Sequence, residues 1–479
     1  MVNKTVCNLY IILLFSVCCL FFTYPAYSES QNSEGIVPLL EDTLPDDIFE
    51  DTGPQEKKSE VSISGEIRAR GTFQIKEDDA VENNQSVRNR VLLEGKYKNS
   101  VTVSAFSDYL YFAEENETDD YDIDLYEAKW EYTGKKYGLS LGKQIVRWGK
   151  TDQVSPVDTL NPQDFREFII PDYEERKIPV WMANAKWFSE YFTLEGVLIP
   201  FFEESKWDYF GTNWSVFGHV KNELQGAVSD PALKSYINDL SVHETDPDDE
   251  AEFAVRLHTT IKNIDLGFTF HWMTEDNPYY KNFPIKNISV NGSFSGSAIS
   301  STLGAAVLTD EDVEVEYRKT KAAGFEFETT WEKYGIRGEA LWMENQSFLT
   351  SSLTSSSHPT VTAVMGVDHT TAGNVYFNFQ ALYSHIGNYS DDILYFDQDS
   401  FSLLGEIKLD LVSDWLQGAI IYNVSLNNNS HYISPYLKYT YVTNLECKVG
   451  AGFFLGSENT WFGRYKAYDY LFFNIIYLF

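Results

Sequence analysis

The last nine residues of this 479-residue chain carry an apolar side chain at every second position, and the chain ends on an aromatic residue. These apolar residues are Leu471, Phe473, Ile475, Tyr477 and Phe479. A period of two is typical of a β-strand, whose successive side chains point to opposite faces. Such a last strand can pair with the first strand of a closed barrel. The pattern therefore favours an all-β transmembrane antiparallel barrel, with a buried strand of a soluble β-sandwich as the alternative.

The first 28 residues resemble a secretory signal peptide. A positively charged start is followed by an apolar stretch at residues 9–22, about 14 residues long, and by small residues before a cleavage site after Ser28. Cys18 and Cys19 leave a lipoprotein signal as an alternative. An uncleaved membrane anchor is a further alternative, although the stretch is shorter than the ~20 residues that span a bilayer.

Residues 29–60 are polar and acidic and contain three prolines. This composition predicts a flexible periplasmic segment, with a short plug in the barrel lumen as the alternative. Residues 61–479 form the predicted barrel. Their composition agrees, because the mean hydropathy of the whole chain is −0.30 although aromatic residues make up 16% of it. A membrane barrel combines a polar lumen with an apolar exterior and aromatic girdles at both interfaces.

The formal net charge of the chain is −34 at pH 7. This balance argues against nucleic acid as a partner, because nucleic-acid binding needs a basic surface. Acidic runs, such as residues 246–252 and 310–316, usually lie in solvated loops; binding of divalent cations beside lipopolysaccharide is the alternative. Cys447 is the single cysteine that follows the predicted signal peptide, so we expect no disulfide within the mature chain.

Alternation of apolar and polar residues predicts about eighteen strands, in which the apolar set faces lipid and the polar set faces the lumen. Short connections alternate with long ones, as in bacterial barrels with tight periplasmic turns and long extracellular loops. Counts of 16 or 20 are alternatives, because residues 285–319 leave room for an extra hairpin. The predicted strands are residues 61–75, 87–97, 101–112, 124–132, 137–145, 178–188, 191–199, 253–261, 264–274, 323–331, 335–345, 361–370, 374–385, 401–411, 415–424, 432–441, 445–455 and 467–479.

Two of the predicted loops are much longer than the others. Residues 148–177 lie between the fifth and sixth strands, and residues 200–250 lie between the seventh and eighth. In the second loop, Pro231 can begin a helix that Ser229 or Asp230 caps. Loops of this length usually fold inward or serve a function.

The 148–177 loop is rich in proline, glycine and charged residues, which suits a rigid segment that folds into the bore and narrows it. The polar faces of the first two strands carry arginines that form a dense basic wall, because neighbouring strands lie about 4.8 Å apart. A transverse field across the pore would select solutes; the alternative is that the lumen charges pair with one another. The predicted pore-lining and constriction residues are Arg68, Arg70, Arg88, Arg90, Arg147, Trp148, Asp152, Asn161, Asp164, Arg166 and Arg176.

Trp148 has two interpretations. Its ring can be a landing site for an apolar or sugar-like ring in the pore, or it can anchor the strand end at the membrane interface. The neighbouring Arg147 and Gly149 favour the first interpretation, because this tripeptide breaks the lipid-facing alternation.

Residues 142–149 read G-K-Q-I-V-R-W-G, and Asn161-Pro162 follows with Asp164 two positions later. This combination resembles the W-G…N-P-x-D signature of a porin-like proteobacterial family that is catalogued mainly as a domain of unknown function. The resemblance is specific over about residues 137–200. The resemblance implies an outer-membrane barrel. It also implies a role in the transport of hydrophobic or lipid-like molecules, in association with resistance-nodulation-division exporters. General and sugar-type porins and alginate-export barrels have related architectures and are the alternatives to this family.

We therefore predict an outer-membrane channel for facilitated passage of a solute, hydrophobic or lipid-like by the resemblance, which needs no cofactor and no metal. The alternatives are an adhesion or assembly barrel with a closed bore, and an outer-membrane lipid hydrolase. The sequence contains no G-x-S-x-G, H-E-x-x-H, C-x-x-C or P-loop motif. His258 and His271 fall on lumen faces of adjacent predicted strands, where ordinary polar lining accounts for them.

The expected partners are outer-membrane lipid, a small-molecule solute and a periplasmic exporter or carrier. The terminal Phe479, with apolar residues at alternate positions before it, resembles the signal that the barrel-assembly machinery of Gram-negative bacteria recognises.

Overall fold

The computed structural model describes most of the predicted barrel region. The signal peptide and acidic segment predicted for residues 1–28 and 29–60 lie outside the described residues. The described residues are 61–75, 85–98, 100–113, 118–245, 251–290, 306–309 and 311–479.

Eighteen antiparallel strands form one closed sheet in the described part of the chain, which confirms the predicted fold class and strand number. Each strand pairs with its neighbours in chain order. Numbered along the chain, they are β1 (Val61–Gln74), β2 (Gln85–Tyr97), β3 (Val101–Ala113), β4 (Thr118–Thr133), β5 (Tyr137–Gln144), β6 (Val180–Phe188), β7 (Thr193–Ile199), β8 (Glu252–Ile261), β9 (Ile264–Thr274), β10 (Lys319–Trp331), β11 (Tyr334–Leu349), β12 (Ser355–Thr370), β13 (Val375–Ile386), β14 (Asp399–Val412), β15 (Leu416–Ser425), β16 (His431–Tyr439), β17 (Leu445–Leu455) and β18 (Tyr470–Leu478).

The barrel closes between its first and last strands. In the β1–β18 pair, Arg70 lies opposite Asn474 and Ile67 lies opposite Tyr477. Gly65 and Phe479 exchange two backbone hydrogen bonds, with N–O distances of 2.8 and 3.0 Å. Closure satisfies the strand edges from within the sheet, which is what a sheet surrounded by hydrocarbon requires.

The two faces of the sheet differ as the alternation predicts. On β1, Ile63 is 78% exposed on the outer face, whereas Arg70 is 5% exposed on the inner face. This arrangement, apolar outside and polar inside, reverses that of a soluble protein. Exposed aromatic residues, which are typical of a membrane-interface girdle, surround the short-turn end of the barrel: Trp130, Tyr132, Tyr137, Trp187, Tyr191, Trp331 and Tyr441.

The tight turns at this end have a simple conformational basis. Two-residue hairpin connections need positive φ angles to match the twist of the flanking strands. In the β8–β9 and β10–β11 turns, Lys262 and Glu332 have φ angles of 59° and 55°. Similar values at Asn374, Ser413 and Asn444 (58°, 49° and 65°) reverse the chain in the longer turns.

The long connections at the opposite end contain the helices. Helix α1 spans Gly218–Ala227 and helix α2 spans Pro231–Asn238. The predicted cap of α2 is confirmed, because the Asp230 side chain accepts a hydrogen bond of 3.0 Å from the backbone N–H of Leu233. Two 3₁₀ turns span Tyr173–Arg176 and Gly463–Tyr465. No helix in the described ranges is long and apolar enough to cross a membrane.

Short strands outside the barrel pack with these helices. They form a three-stranded and a two-stranded sheet that are separate from the barrel. These strands are therefore not the additional barrel hairpin that was considered for residues 285–319. Phe217, Leu224 and Ile237 of the helical segment are fully buried in one apolar cluster with residues of these strands. The short strands are Val242–Glu244, Tyr279–Asn282, Ile285–Lys286, Val307–Leu308 and Val313–Glu316.

Candidate functional site

The connection between β5 and β6, residues 145–179, is slightly longer than the 148–177 predicted, because β5 ends at Gln144 and β6 begins at Val180. Asn161 holds the two ends of this loop together. Its side-chain oxygen accepts from the N–H of Val146 at 2.9 Å, and its amide donates to the Gln144 and Ile178 carbonyls at 3.2 and 2.9 Å. Asn161 is 3% exposed. Asn161 therefore fixes the loop from within. The prediction that it lines the pore is wrong.

Trp148 begins the inward part of the loop and is fully buried, with 0% exposure. Its indole packs edge-on against His271, with ring centroids 5.0 Å apart, and the Arg256 guanidinium lies 5.9 Å from its centroid. Aliphatic side chains of the loop and of β6–β8 complete this cluster. The expectation that Trp148 faces the pore is therefore not met; the ring anchors the loop to the wall.

Gly149 allows the chain to approach the wall after Trp148. Its φ angle is +93°, and a Cβ atom there would lie 2.1 Å from the Ser155 Oγ and 2.8 Å from a carboxylate oxygen of Glu339. Only glycine tolerates such a conformation without strain. Its N–H donates to the Glu326 carboxylate at 2.8 Å.

Glu339 of β11 is the main anchor of the first part of the loop. Its carboxylate is 3% exposed and accepts hydrogen bonds from the backbone N–H groups of Lys150, Thr151 and Val157 at 2.5, 2.6 and 3.1 Å. The Ser155 hydroxyl donates to it at 2.9 Å. These bonds satisfy a buried charge with fixed backbone donors, which is a stable arrangement. Glu326 and Glu339 are not among the site residues predicted from the sequence.

The middle of the loop binds the arginine wall. Arg70 and Arg88 lie directly opposite each other on β1 and β2. Arg70 contacts Glu167 at 3.0 Å, and Arg88 contacts Glu167 and Asp164 at 2.8 Å each. Arg88 also donates to Asp108 of β3, with an Nε–Oδ1 distance of 2.9 Å. The loop carboxylates thus bridge the arginines of two neighbouring strands.

The other two predicted arginines of this wall differ in their contacts. Arg68 contacts Glu175 of the loop and Glu66 on its own strand at 2.7 Å. Arg90 contacts Asp108 at 3.2 Å and lies 5.2 Å from the ring centroid of Phe106, which belong to β3. Arg68 therefore contacts the loop, as Arg70 and Arg88 do. The contacts of Arg90 in the described ranges are with the neighbouring strand β3.

Asp164 is a buried acid of the loop whose pKa depends on two arginines. Burial alone would raise its pKa, but the charges and hydrogen bonds of Arg88 and Arg166 hold it well below its usual range. Arg166 contacts Asp164 at 2.9 Å. Asp164 is 5% exposed, so this ionised group serves the buried network and does not face solvent.

The loop also reaches other parts of the wall. Asp152 contacts Arg337 of β11 at 3.1 Å. At the far end, Asp172 contacts Lys448 of β17 at 3.1 Å. Arg147 contacts Glu174 within the loop. These contacts hold the loop on several sides of the lumen.

An aromatic cluster fixes the turn of the loop. Phe168 is 1% exposed, and its ring centroid lies 4.6 Å from Tyr465 and 5.9 Å from Trp214. Phe454 and Tyr470 of β17 and β18 belong to the same cluster. Aromatic contacts of this kind add to the burial of the rings, so the loop is held by an apolar anchor as well as by ion pairs.

A cavity of about 690 Å³ lies between the loop and the inner face of β14–β18. Four of the predicted site residues line it, namely Arg70, Arg147, Asp152 and Arg176. Its lining contains both apolar side chains, such as Ile421 and Phe472, and charged ones, such as Lys408. The cavity therefore combines apolar and charged contacts, as solute-binding pockets usually do.

The two histidines considered for catalysis are not close together. His258 lies opposite Gly267, whereas His271 lies opposite Ala254, in the β8–β9 pair. This separation of four strand positions corresponds to about 13 Å. His271 instead shares a hydrogen bond of 2.6 Å with Thr159. Within the described ranges, no group of three or more His, Cys, Asp or Glu residues is arranged to hold a metal ion.

A family model described as "Protein of unknown function (DUF1302)" matches residues 58–479. A search of curated proteins gave no significant match.

Solved structures with a similar chain path include three outer-membrane proteins. Pseudomonas aeruginosa OccK2 (OpdF) in complex with glucuronate is 11% identical, with a TM-score of 0.46 and coverage of 87% of this chain and 96% of that chain. Acinetobacter baumannii OccAB3 is 9% identical, with a TM-score of 0.44 and coverage of 88% and 99%. Salmonella typhi OmpF in complex with daunomycin is 8% identical, with a TM-score of 0.41 and coverage of 88% and 97%.

Proposed function

This chain belongs to the DUF1302 family of proteins of unknown function, and we propose that it is a porin-like channel of the bacterial outer membrane. In this proposal a solute passes through the lumen, which the 148–177 loop narrows. The family membership confirms the resemblance drawn from the sequence but names no substrate. The proposal therefore rests on the geometry of the barrel and of the loop.

An outer-membrane location is supported by the outer face of the barrel. A closed sheet with an apolar exterior is one of the two architectures that satisfy all backbone polar groups in hydrocarbon. Exposed apolar residues occur on the first strand, such as Ile67, and on the last, such as Leu471 and Tyr477. Gram-negative outer membranes are where single-chain barrels of this size are found.

The observation that carries the proposal is that the loop crosses the lumen. Its residue Asp152 contacts Arg337 on β11, and its residue Asp164 contacts Arg88 on β2. Strands β2 and β11 are nine positions apart (11 − 2) in a ring of 18, and therefore lie on opposite sides of the barrel. A segment anchored on opposite walls divides the bore, and we propose that the cavity beside it is the path of the solute.

A hydrophobic or lipid-like solute is supported by part of the cavity lining. Ile169 and Ile170 of the loop, Ile421 of β15 and Phe472 of β18 all line it. Apolar side chains in a lumen are costly to hydrate unless a solute covers them. A lipidomic comparison of wild-type and deletion cells tests this part, and unchanged lipid composition with altered uptake of polar solutes would contradict it.

Passage of this kind needs no cofactor. The gradient of the solute, or a periplasmic exporter or carrier, supplies the driving force. We also propose that the barrel-assembly machinery recognises Phe479 together with the preceding strand β18, which pairs with β1 at the closing seam of the barrel. An adhesion barrel with a closed bore and a lipid hydrolase are the competing functions, and the separation of His258 from His271 argues against the hydrolase.

Single-channel conductance in planar bilayers tests the proposal. We expect a small conductance for the wild-type protein and a larger one after residues 150–176 are replaced by a short Gly-Ser linker, because removal of the loop opens the bore. Heat-modifiable migration on gels verifies that the variant still forms a closed barrel. Absence of conductance in both forms would contradict a channel and favour the adhesion barrel.

A further inference from the structure

The charges that line the 690 Å³ cavity beside the loop are almost all neutralised by near neighbours. Each of five cationic residues contacts a carboxylate. Arg70 contacts Glu175 at 2.9 Å, Lys408 contacts Glu406 at 2.6 Å, Lys438 contacts Glu446 at 3.0 Å, Lys448 contacts Asp172 at 3.1 Å, and Arg147 contacts Glu174. The other two acids that line the cavity, Asp152 and Asp158, contact Arg337 and Lys177.

Arg176 is the exception among the charged residues that line this cavity. It is 9% exposed, and its Nε lies buried without a hydrogen-bond partner. Within the described part of the chain, no carboxylate forms an ion pair with its guanidinium. Burial lowers the pKa of Arg176, and the nearby Tyr173 and Asp172 offset this only in part. A buried guanidinium normally has hydrogen-bond acceptors around it, but the buried Nε of Arg176 has none in the described part of the chain.

Aromatic rings hold the Arg176 guanidinium in place. Its central carbon lies 5.4 Å from the Phe165 ring centroid and 5.6 Å from the Tyr173 ring centroid. Phe165 stacks in turn on Trp207, with centroids 4.3 Å apart, and the Tyr173 hydroxyl donates to Asp158 at 3.1 Å. The guanidinium is therefore positioned by rigid neighbours before any ligand arrives, and cation–π contacts do not use its N–H donors.

The surroundings restrict the ligand that this guanidinium can accept. The planar fork of arginine N–H groups matches a carboxylate. Asp164 and Asp172 are close enough to interact with Arg176 electrostatically, so they oppose a second negative charge on the ligand. Ile169, Ile170 and Phe472 line the same cavity, which favours a ligand with an apolar body.

We propose that Arg176 binds the carboxylate of a singly charged, amphipathic organic acid whose apolar part occupies the cavity between the loop and β14–β18. This inference rests on the proposed channel function and names the class of its solute. The carboxylate supplies the acceptors that the protein does not give Arg176, and the apolar part covers the aliphatic and aromatic lining. A small hydrophilic anion makes only the first of these contacts.

Block of the channel current by octanoate tests the inference. We expect octanoate to reduce the wild-type current, with an apparent affinity about tenfold lower in Arg176→Gln, because the charge-assisted hydrogen bonds are lost. Acetate, which lacks the apolar body, and octanamide, which lacks the charge, should block both forms weakly. Lys438→Gln is the matched control, because Lys438 lines the same cavity but has Glu446 as a partner; its octanoate affinity should stay within twofold of wild type.

The inference is overturned if Arg176→Gln and wild type are blocked equally by octanoate, or if acetate blocks as well as octanoate does. Calorimetric titration of the purified proteins with octanoate distinguishes failure of the Arg176 site from failure of the channel function. A protein that carries no current but binds octanoate through Arg176 would contradict the channel and retain the site. A protein that conducts but shows no Arg176-dependent binding of octanoate would support the channel and contradict the Arg176 site.

Discussion

The loop in the lumen faces two walls that differ in how they use basic residues. On β1 and β2, Arg70 and Arg88 are 5% and 4% exposed and are enclosed by loop carboxylates. On β14 and β16, the side chains of Lys408 and Lys438 are 31% and 34% exposed beside the cavity. Both walls carry cations at lumen-facing positions, but those of β1 and β2 are buried, whereas those of β14 and β16 remain about one-third exposed.

The difference shows that burial decides what a lumen charge does. Removing one partner from a buried ion pair leaves an uncompensated charge and costs about 3–5 kcal/mol, whereas exposed pairs contribute about 0–1 kcal/mol. The arginines of β1 and β2 therefore fasten the loop, which corresponds to the alternative in which lumen charges pair with one another. Among the charged residues that line the cavity, Arg176 is the one without a carboxylate partner in the described ranges, so it is the group we expect to act on a charged solute.

The largest effect is expected when the packed wall is broken at Arg88. Arg88→Ala leaves Asp108, Asp164 and Glu167 without a shared cation, at a cost of about 3–5 kcal/mol to the docked loop. We expect a higher channel conductance and faster proteolysis within residues 145–179. Both are measured on the refolded protein in bilayers and in detergent micelles.

Arg90→Ala is the matched control for this experiment. Arg90 lies on the same strand and contacts Asp108 at 3.2 Å, and none of its contacts in the described ranges is with the loop. Its removal should leave conductance and proteolysis close to wild type. Equal effects of Arg88→Ala and Arg90→Ala would show that the ion pairs do not hold the loop.

A smaller effect is expected at the anchor on β11. Glu339→Ala removes the acceptor of three loop N–H groups, those of Lys150, Thr151 and Val157. Hydrogen exchange follows local opening, so peptides that cover residues 150–157 should exchange faster. Glu328→Ala is the control, because within the described ranges the Glu328 side chain bonds to the loop only through the Lys150 ammonium, at 3.0 Å. Unchanged exchange in Glu339→Ala would contradict this anchor.

Acidification tests the same network without mutation. Burial raises the pKa of Asp164, but Arg88 and Arg166 lower it well below the usual range. Since an unfolded Asp titrates near 3.9, the contribution of Asp164 to docking is complete above about pH 4 and is lost as pH falls towards its folded pKa. Conductance should thus be constant from pH 5 to 7 and rise below about pH 4; a rise between pH 5 and 7 would argue against Asp164.

The smallest effect concerns Glu275, at the long-loop end of the barrel and away from both walls. Burial raises the pKa of Glu275 to about 7. The folded state therefore binds more protons than the unfolded state between about pH 4.3 and 7, and stability falls as pH rises through this window. We expect Glu275→Gln to raise the melting temperature at pH 8 by on the order of 1 °C, and to have no such effect at pH 4.

Glu311→Gln is a suitable comparison for this prediction, because the Glu311 side chain is 62% exposed in the same group of long connections. It should not change the melting temperature at either pH. A stabilisation by Glu311→Gln equal to that by Glu275→Gln would show that net charge, and not burial, is responsible.

The sequence predicted the barrel well because strand alternation is a local signal. Each of the eighteen predicted strands overlaps one observed strand, and the cap at Asp230 was correctly assigned from Pro231 and its neighbours. Apolar and polar residues report directly which face of a strand meets hydrocarbon. Their order along the chain therefore contains most of the information about the barrel.

The loop was predicted less well because its contacts link residues far apart in sequence. Trp148 and Asn161 were placed in the pore, but they pack inside the loop and against the wall. Glu326 and Glu339, which hold the loop, appear in the sequence only as acidic residues at lumen positions of two strands. Arg176 has no carboxylate partner in the described ranges because of where the surrounding acidic residues lie in space. No sequence pattern encodes that arrangement.

Cysteine accessibility tests the division of the lumen most directly. In a Cys447→Ser background, Asn423→Cys places a thiol on the cavity wall at β15, and Ser86→Cys places one on the packed wall, at a position that is 3% exposed. A membrane-impermeant, water-soluble thiol reagent should modify the first thiol rapidly and the second slowly in proteoliposomes. Equal rates, or faster modification at position 86, would contradict a lumen that the loop divides into a packed side and an open side.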